Sequence, residues 1–89
     1  MNNFKLTVVN SSGIHARPSG KIVEVTNRAI SDVRMKYNGI LANAKSILNI
    51  MMLAVEPGAE VEFFIEGEDE EKVGQELTEL FERKFDEDS

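Results

Sequence analysis

Val33-Arg34-Met35-Lys36-Tyr37-Asn38-Gly39-Ile40-Leu41-Ala42-Asn43 reads as a β-hairpin. Val33, Met35 and Tyr37 alternate with Arg34 and Lys36, the period of a strand with one apolar and one charged face. Asn38-Gly39 is the strongest short turn signal available, because both positions tolerate the positive φ of a type I′ turn. Ile40 to Asn43 is then the return strand. Upstream, Phe4, Leu6 and Val8 alternate with Lys5, Thr7 and Val9, and predict another half-buried strand. Downstream, Glu60 to Glu66 has the same period, with Val61, Phe63 and Ile65 inward and Glu60, Glu62 and Glu66 outward. Phe64 breaks that pattern, being either exposed or covered by a neighbouring element.

Helices fill the gaps. Ile22, Val23 and Val25, followed by Ala29 and Ile30, suit a helix from about Ala16 to Asn27. Pro18 is tolerated in its first turn, where no intrahelical N–H bond is lost. Val73, Leu77, Leu80, Phe81 and Phe85 form a helical stripe near the C-terminus, with Asp69 as a plausible N-cap. A further short helix is expected from Ile47. The order is β-α-β-β-α-β-α. Each strand has one apolar side, so an α+β, two-layer sandwich results, a four-stranded antiparallel sheet with three helices on one face. The 89 residues make one domain, 1–89, with no internal repeat or linker.

Composition excludes several classes. There is no cysteine, hence no disulfide framework or thiolate chemistry. The longest apolar run, Ile50 to Val55, is far too short to span a bilayer. The N-terminus lacks the features of a secretion signal, so a cytoplasmic protein is expected. A formal charge of −6 argues against general nucleic-acid binding, which needs a basic face. The acidic clusters Glu66, Glu68, Asp69, Glu70, Glu71 and Asp86, Glu87, Asp88 read as a helix start and a solvated tail. Neither has a spacing that demands a metal.

The chemistry centres on the sole histidine. In Gly13-Ile14-His15-Ala16-Arg17-Pro18 an ionisable nucleophile stands at a helix N-terminus beside a fixed positive charge. Free backbone N–H groups and the helix dipole favour an anion there, so a phosphoryl group on the imidazole would be held by those amides and by Arg17. On spacing alone, an ordinary surface cap fits His15 as well. Ser46 caps the helix beginning at Ile47, with Asn49 three residues on. That helix, Ile47 to Leu53, is apolar almost all round. Ile50 and Leu53 are expected to face the core, and Ile47, Leu48 and Met51 to form a surface patch suited to protein contacts. Complete burial of the helix is the alternative.

Ser12-Gly13-Ile14-His15-Ala16-Arg17-Pro18 resembles the active-site segment of the HPr family, the histidine-containing phosphocarriers of the bacterial phosphoenolpyruvate:sugar phosphotransferase system. Tyr37-Asn38-Gly39, Lys45-Ser46-Ile47 and Pro57-Gly58-Ala59-Glu60 extend the resemblance over essentially the whole chain, Phe4 to about Phe85. It implies the HPr-like open-faced fold with strand order 1-4-2-3. It implies that His15 accepts a phosphoryl group from enzyme I and passes it to IIA domains of sugar permeases, with Arg17 stabilising the group. The protein would then be a carrier rather than an enzyme, a monomer, and in need of no cofactor or metal. Ser46 would be a regulatory phosphorylation site for HPr kinase/phosphorylase, with a catabolite-control transcription regulator as a further partner. Ile47, Leu48 and Met51 would dock partners.

Departures from the family pattern are Asn49, where glycine is common, and Met52, where a smaller residue is. Glu24 and Asn27 lie on the active-site helix, which retains Lys21 and Arg28 as flanking positive charges. These bear on partner choice, not on phosphoryl chemistry. Two rivals share the resemblance: a carrier of the nitrogen-related branch, and a purely regulatory HPr-like protein acting through Ser46. A domain excised from a larger phosphotransferase fits less well with Met1 and an uninterrupted set of elements.

Overall fold

Strand alternation sets the sheet, and the computed structural model, which describes residues 2–87, shows how the strands pair. The elements are β1 (Asn2–Thr7), α1 (Ala16–Asn27), β2 (Asp32–Tyr37), β3 (Ile40–Asn43), α2 (Ile47–Met52), β4 (Glu60–Glu66) and α3 (Glu70–Glu82), followed by a short turn over Lys84–Asp86. The sheet is antiparallel in order β1-β4-β2-β3. Asn38 and Gly39 take φ of 56° and 81°, as the type I′ hairpin requires.

Register converts alternation into two chemically different faces. Phe4 pairs with Phe63, Phe63 with Met35, and Met35 with Ala42, an apolar row running through all four strands. Onto this row pack Ile22, Val25, Ile50, Val73, Leu77 and Leu80 from the helices, all buried. The opposite face is open, as a two-layer fold of this class leaves it. There Asn3 and Arg34 flank Phe64, which is half-buried rather than covered by another element.

Three details differ from the local sequence reading. Ile30, taken as part of the apolar run after α1, is exposed. Asp69 precedes α3 but does not cap it with its side chain. Its carboxylate instead accepts the Ser31 hydroxyl and the N–H groups of Ile30 (2.9 Å) and Ser31 (3.0 Å), tying the start of α3 to the entry of β2.

The third concerns the C-terminal stripe. α3 ends at Glu82, and Phe85 is not on its face. Lys84, Phe85 and Asp86 have φ of 56°, 56° and 62°, a left-handed turn that costs non-glycine residues roughly 1–2 kcal/mol each. Burial of Phe85, whose ring meets Phe81 edge-on at 4.7 Å, offsets part of that cost. The turn reverses the chain and brings Asp86 and Glu87 toward α1. Asp86 meets Lys21 at 3.7 Å. The solvated tail of the sequence reading is thus corrected for Glu87, which is half-buried; Asp86 pairs with Lys21 yet stays exposed, and Asp88 lies outside the described residues.

Candidate functional site

The loop joining β1 to α1 is built from inside. Asn10 is buried, and its side-chain amide donates to the Gly13 carbonyl at 2.8 Å, closing the loop on itself. Gly13 has φ +72°, and a Cβ there would lie 2.6 Å from the Val55 carbonyl oxygen, so only glycine fits. Ile14 is buried and donates its N–H to the same carbonyl at 3.0 Å. Val55 lies just beyond α2, so this bond anchors the segment preceding His15 to the exit of that helix.

His15 is the N-cap of α1 with extended backbone, and its side chain makes no capping hydrogen bond. Its carbonyl accepts from Ser19 twice, from the backbone N–H at 3.0 Å and the hydroxyl at 2.7 Å. The backbone is therefore held while the imidazole stays exposed, at 45% of its side-chain area. The N–H groups of Ala16 and Arg17 open the helix and have no intrahelical acceptor. No acidic residue lies in the first turn to neutralise the positive helix end from within. Arg17 is exposed on this turn and, among the described residues, forms no ion pair.

The negative group that does reach the site comes from the far end of the chain. Glu87 Oε2 lies 3.2 Å from His15 Nε2. Its other oxygen, Oε1, accepts from the Asn10 amide at 2.9 Å. Sequence reading missed Asn10 and Glu87, and no local signal could have found a contact spanning 77 positions.

Ser46 is the N-cap of α2, and its hydroxyl oxygen accepts from both the backbone N–H (3.2 Å) and the side-chain amide (3.1 Å) of Asn49. Ile50 is fully buried and Leu53 nearly so, whereas Ile47, Leu48 and Met51 are exposed. Met52 joins them at 74% exposure, a residue the sequence reading left out of the patch. α2 packs on α1, so the apolar surface and the histidine-bearing helix are neighbours. Among the described residues no three of His, Asp and Glu converge as metal ligands, and no helix is long and apolar enough to cross a membrane.

Residues 2–83 match the family described as the PTS HPr component phosphorylation site. The chain is 40% identical over 89 residues to the phosphocarrier protein HPr of Xylella fastidiosa strain Temecula1, covering all of both chains. It is 38% identical to that of Treponema pallidum over 81 residues, 91% of this chain and 92% of that protein. The crystal structure of HPr from Thermoanaerobacter tengcongensis superposes with a TM-score of 0.95 at 35% identity, with full coverage of both chains. The sheet order, the helix-capping histidine and these matches agree: the chain belongs to the HPr family of phosphocarrier proteins of the phosphotransferase system.

Proposed function

We propose that this protein carries a phosphoryl group on His15, taking it from phosphorylated enzyme I and delivering it to IIA domains of sugar permeases in the cytoplasm. The observation that carries the reading is the exposed imidazole at the N-terminus of α1, which no backbone group engages. The unprotonated nitrogen of a neutral imidazole is a nucleophile. Phosphoryl transfer needs chiefly positioning and charge stabilisation. The Ala16 and Arg17 amides and the helix dipole meet the phosphoryl oxygens, and the Arg17 guanidinium adds a permanently charged donor fork. The group leaves again because the N–P bond of a phosphohistidine is reactive, so the protein hands it on as a monomeric carrier in one domain without turning over a substrate of its own.

α2 supplies the docking surface in this reading. Ile47, Leu48 and Met51 face outward on a helix whose inner side is anchored by Ile50. Flexible methionine side chains repack against several partners. Ser46, at the start of the same helix, is the regulatory position: a phosphate there would be favoured by the helix dipole and would place negative charge beside the apolar patch.

Incubation with phosphoenolpyruvate and enzyme I, followed by peptide mapping, tests the assignment. An acid-labile phosphoryl group should appear on His15 and vanish in His15→Ala, whose stability should change by under about 1 kcal/mol, because the side chain is exposed. Undiminished labelling of the variant would overturn the reading.

A further inference from the structure

The chain has no cysteine, so all its sulfur lies in four methionines. Among the described residues the fold sorts these sharply. Met35, in β2, lies under the helices with 0% exposure, whereas Met51 is 40% exposed and Met52 74%. Both exposed residues are on α2, four positions beyond Ile47 and Leu48. Residues four apart are neighbours on a helix surface, so Ile47 with Met51 and Leu48 with Met52 make two adjoining apolar rows. All four side chains are exposed. The helix is held from its other side, by the buried Ile50 and Leu53. The accessible thioethers therefore stand together on the apolar surface of α2 and apart from the contacts that hold the fold.

We propose that Met51 and Met52 form a modification site, oxidised to sulfoxides by peroxides, and that this oxidation weakens the docking of partners on α2. A lone pair of the thioether sulfur attacks one oxygen of hydrogen peroxide. The S–O bond forms as the O–O bond breaks, and the departing oxygen keeps the bonding electron pair, collects the proton and leaves as water. Sulfur is oxidised by two electrons and the peroxide is reduced by two. A dithiol reductant reverses the change: it supplies two electrons and two protons, becomes a disulfide, and the sulfoxide oxygen leaves as water.

A methionine side chain is apolar and flexible, which lets it fill gaps against a partner, whereas its sulfoxide is polar and carries a hydrogen-bond acceptor. In the free protein water satisfies that oxygen, and the fold loses nothing because neither side chain is buried. In a complex the oxygen is dehydrated against an apolar surface and opposes binding. Met35 is the internal contrast: the same oxygen there would break the core, but peroxide does not reach it while the sheet stays covered. The effect on partners rests on the reading of α2 as the docking surface; the reactivity of the two sulfur atoms rests on their exposure alone.

The test treats the full chain with dilute hydrogen peroxide and follows each methionine by peptide mass spectrometry. Met52 should oxidise first and Met51 next, both at least about tenfold faster than Met35. The melting temperature should hold, while calorimetric affinity for enzyme I should fall about tenfold or more. Methionine sulfoxide reductase should restore it. In the double variant Met51→Leu with Met52→Leu, affinity should be the same before and after peroxide treatment. Met35 oxidising as fast as the α2 pair would overturn the modification site. Equal affinities for the reduced and oxidised protein would overturn its effect on docking, as would a loss of affinity that comes with unfolding. Untreated protein that fails to bind enzyme I would overturn the docking reading itself; the peroxide map, which needs no partner, would still decide whether these two sulfur atoms are the reactive ones.

Discussion

The N–H of Ile14 donates to the carbonyl of Val55 at 3.0 Å, joining the loop that carries His15 to the chain leaving α2. Through this bond the exposed apolar helix and the histidine stand on a shared frame, so a partner seated on one is presented to the other. Gly13 makes the approach possible, because its φ of +72° and its missing Cβ leave the Val55 oxygen room.

Gly13→Ala should therefore damage both stability and transfer. A left-handed alanine costs roughly 1–2 kcal/mol, and its methyl would overlap a backbone oxygen that cannot swing away. We expect a loss of about 3 kcal/mol in urea unfolding, with a slower transfer rate in whatever fraction remains folded. A variant as stable as wild type would show that the loop has another way to pass Val55.

Ile50 and Met51 are adjacent in sequence and opposite in environment. Ile50→Ala should lower stability by about 2–5 kcal/mol through the cavity it leaves. Met51→Glu should leave unfolding within about 0.5 kcal/mol of wild type, yet weaken enzyme I binding at least tenfold, since its charge is desolvated only in the complex. Titration calorimetry with equal affinities for wild type and Met51→Glu would remove Met51 from the docking surface.

Ser46 separates capping from regulation. Ser46→Ala loses the acceptor for both Asn49 donors and should cost about 1 kcal/mol. Ser46→Asp keeps an acceptor and complements the dipole, so its stability should match or exceed wild type. Its transfer from phosphorylated enzyme I should nonetheless slow, because the added charge opposes docking on an already acidic chain. Stopped-flow rates unchanged in Ser46→Asp would leave Ser46 as a cap alone.

Asp69 makes acid sensitivity predictable in sign. The Ser31 hydroxyl, then the Ile30 N–H, hold its carboxyl below the ordinary 3.8, with partial burial opposing them. Its folded pKa is depressed, so its contribution is fully present above the unfolded value and is lost as pH falls through the folded one. Asp69→Asn should be less stable than wild type at pH 7, and the difference should shrink and vanish on acidification below that folded value. Asp86, lowered chiefly by its hydrogen bond from Arg83, adds a second and more exposed part to the same acid limb. Parallel stability–pH curves for wild type and Asp69→Asn would refute this account.

Sequence by itself determined the elements and much of their facing. Period-two alternation in β2 and β4, Asn38-Gly39 between β2 and β3, and the apolar face of α1 all express short-range rules, and each element lies where those rules place it. The site was legible to the same depth: a histidine, an arginine and a proline at a helix start, and a serine at another. Tertiary structure decided the rest. Phe85 sits at helical spacing from Phe81, yet it is buried through a left-handed reversal that no residue pattern announces. Asp69 looks like a cap, but the β2 entry offers it three donors and wins. Glu87 reads as one more acid in a solvated tail and ends against His15. For Asp69 and Glu87 the decisive partner lies far along the chain, and in all three cases the energy comes from burial or contact that exists only once the sheet and helices have packed. Local preference fixes which way a segment runs and which side it buries; the meeting of distant segments is settled by the free energy of the folded whole.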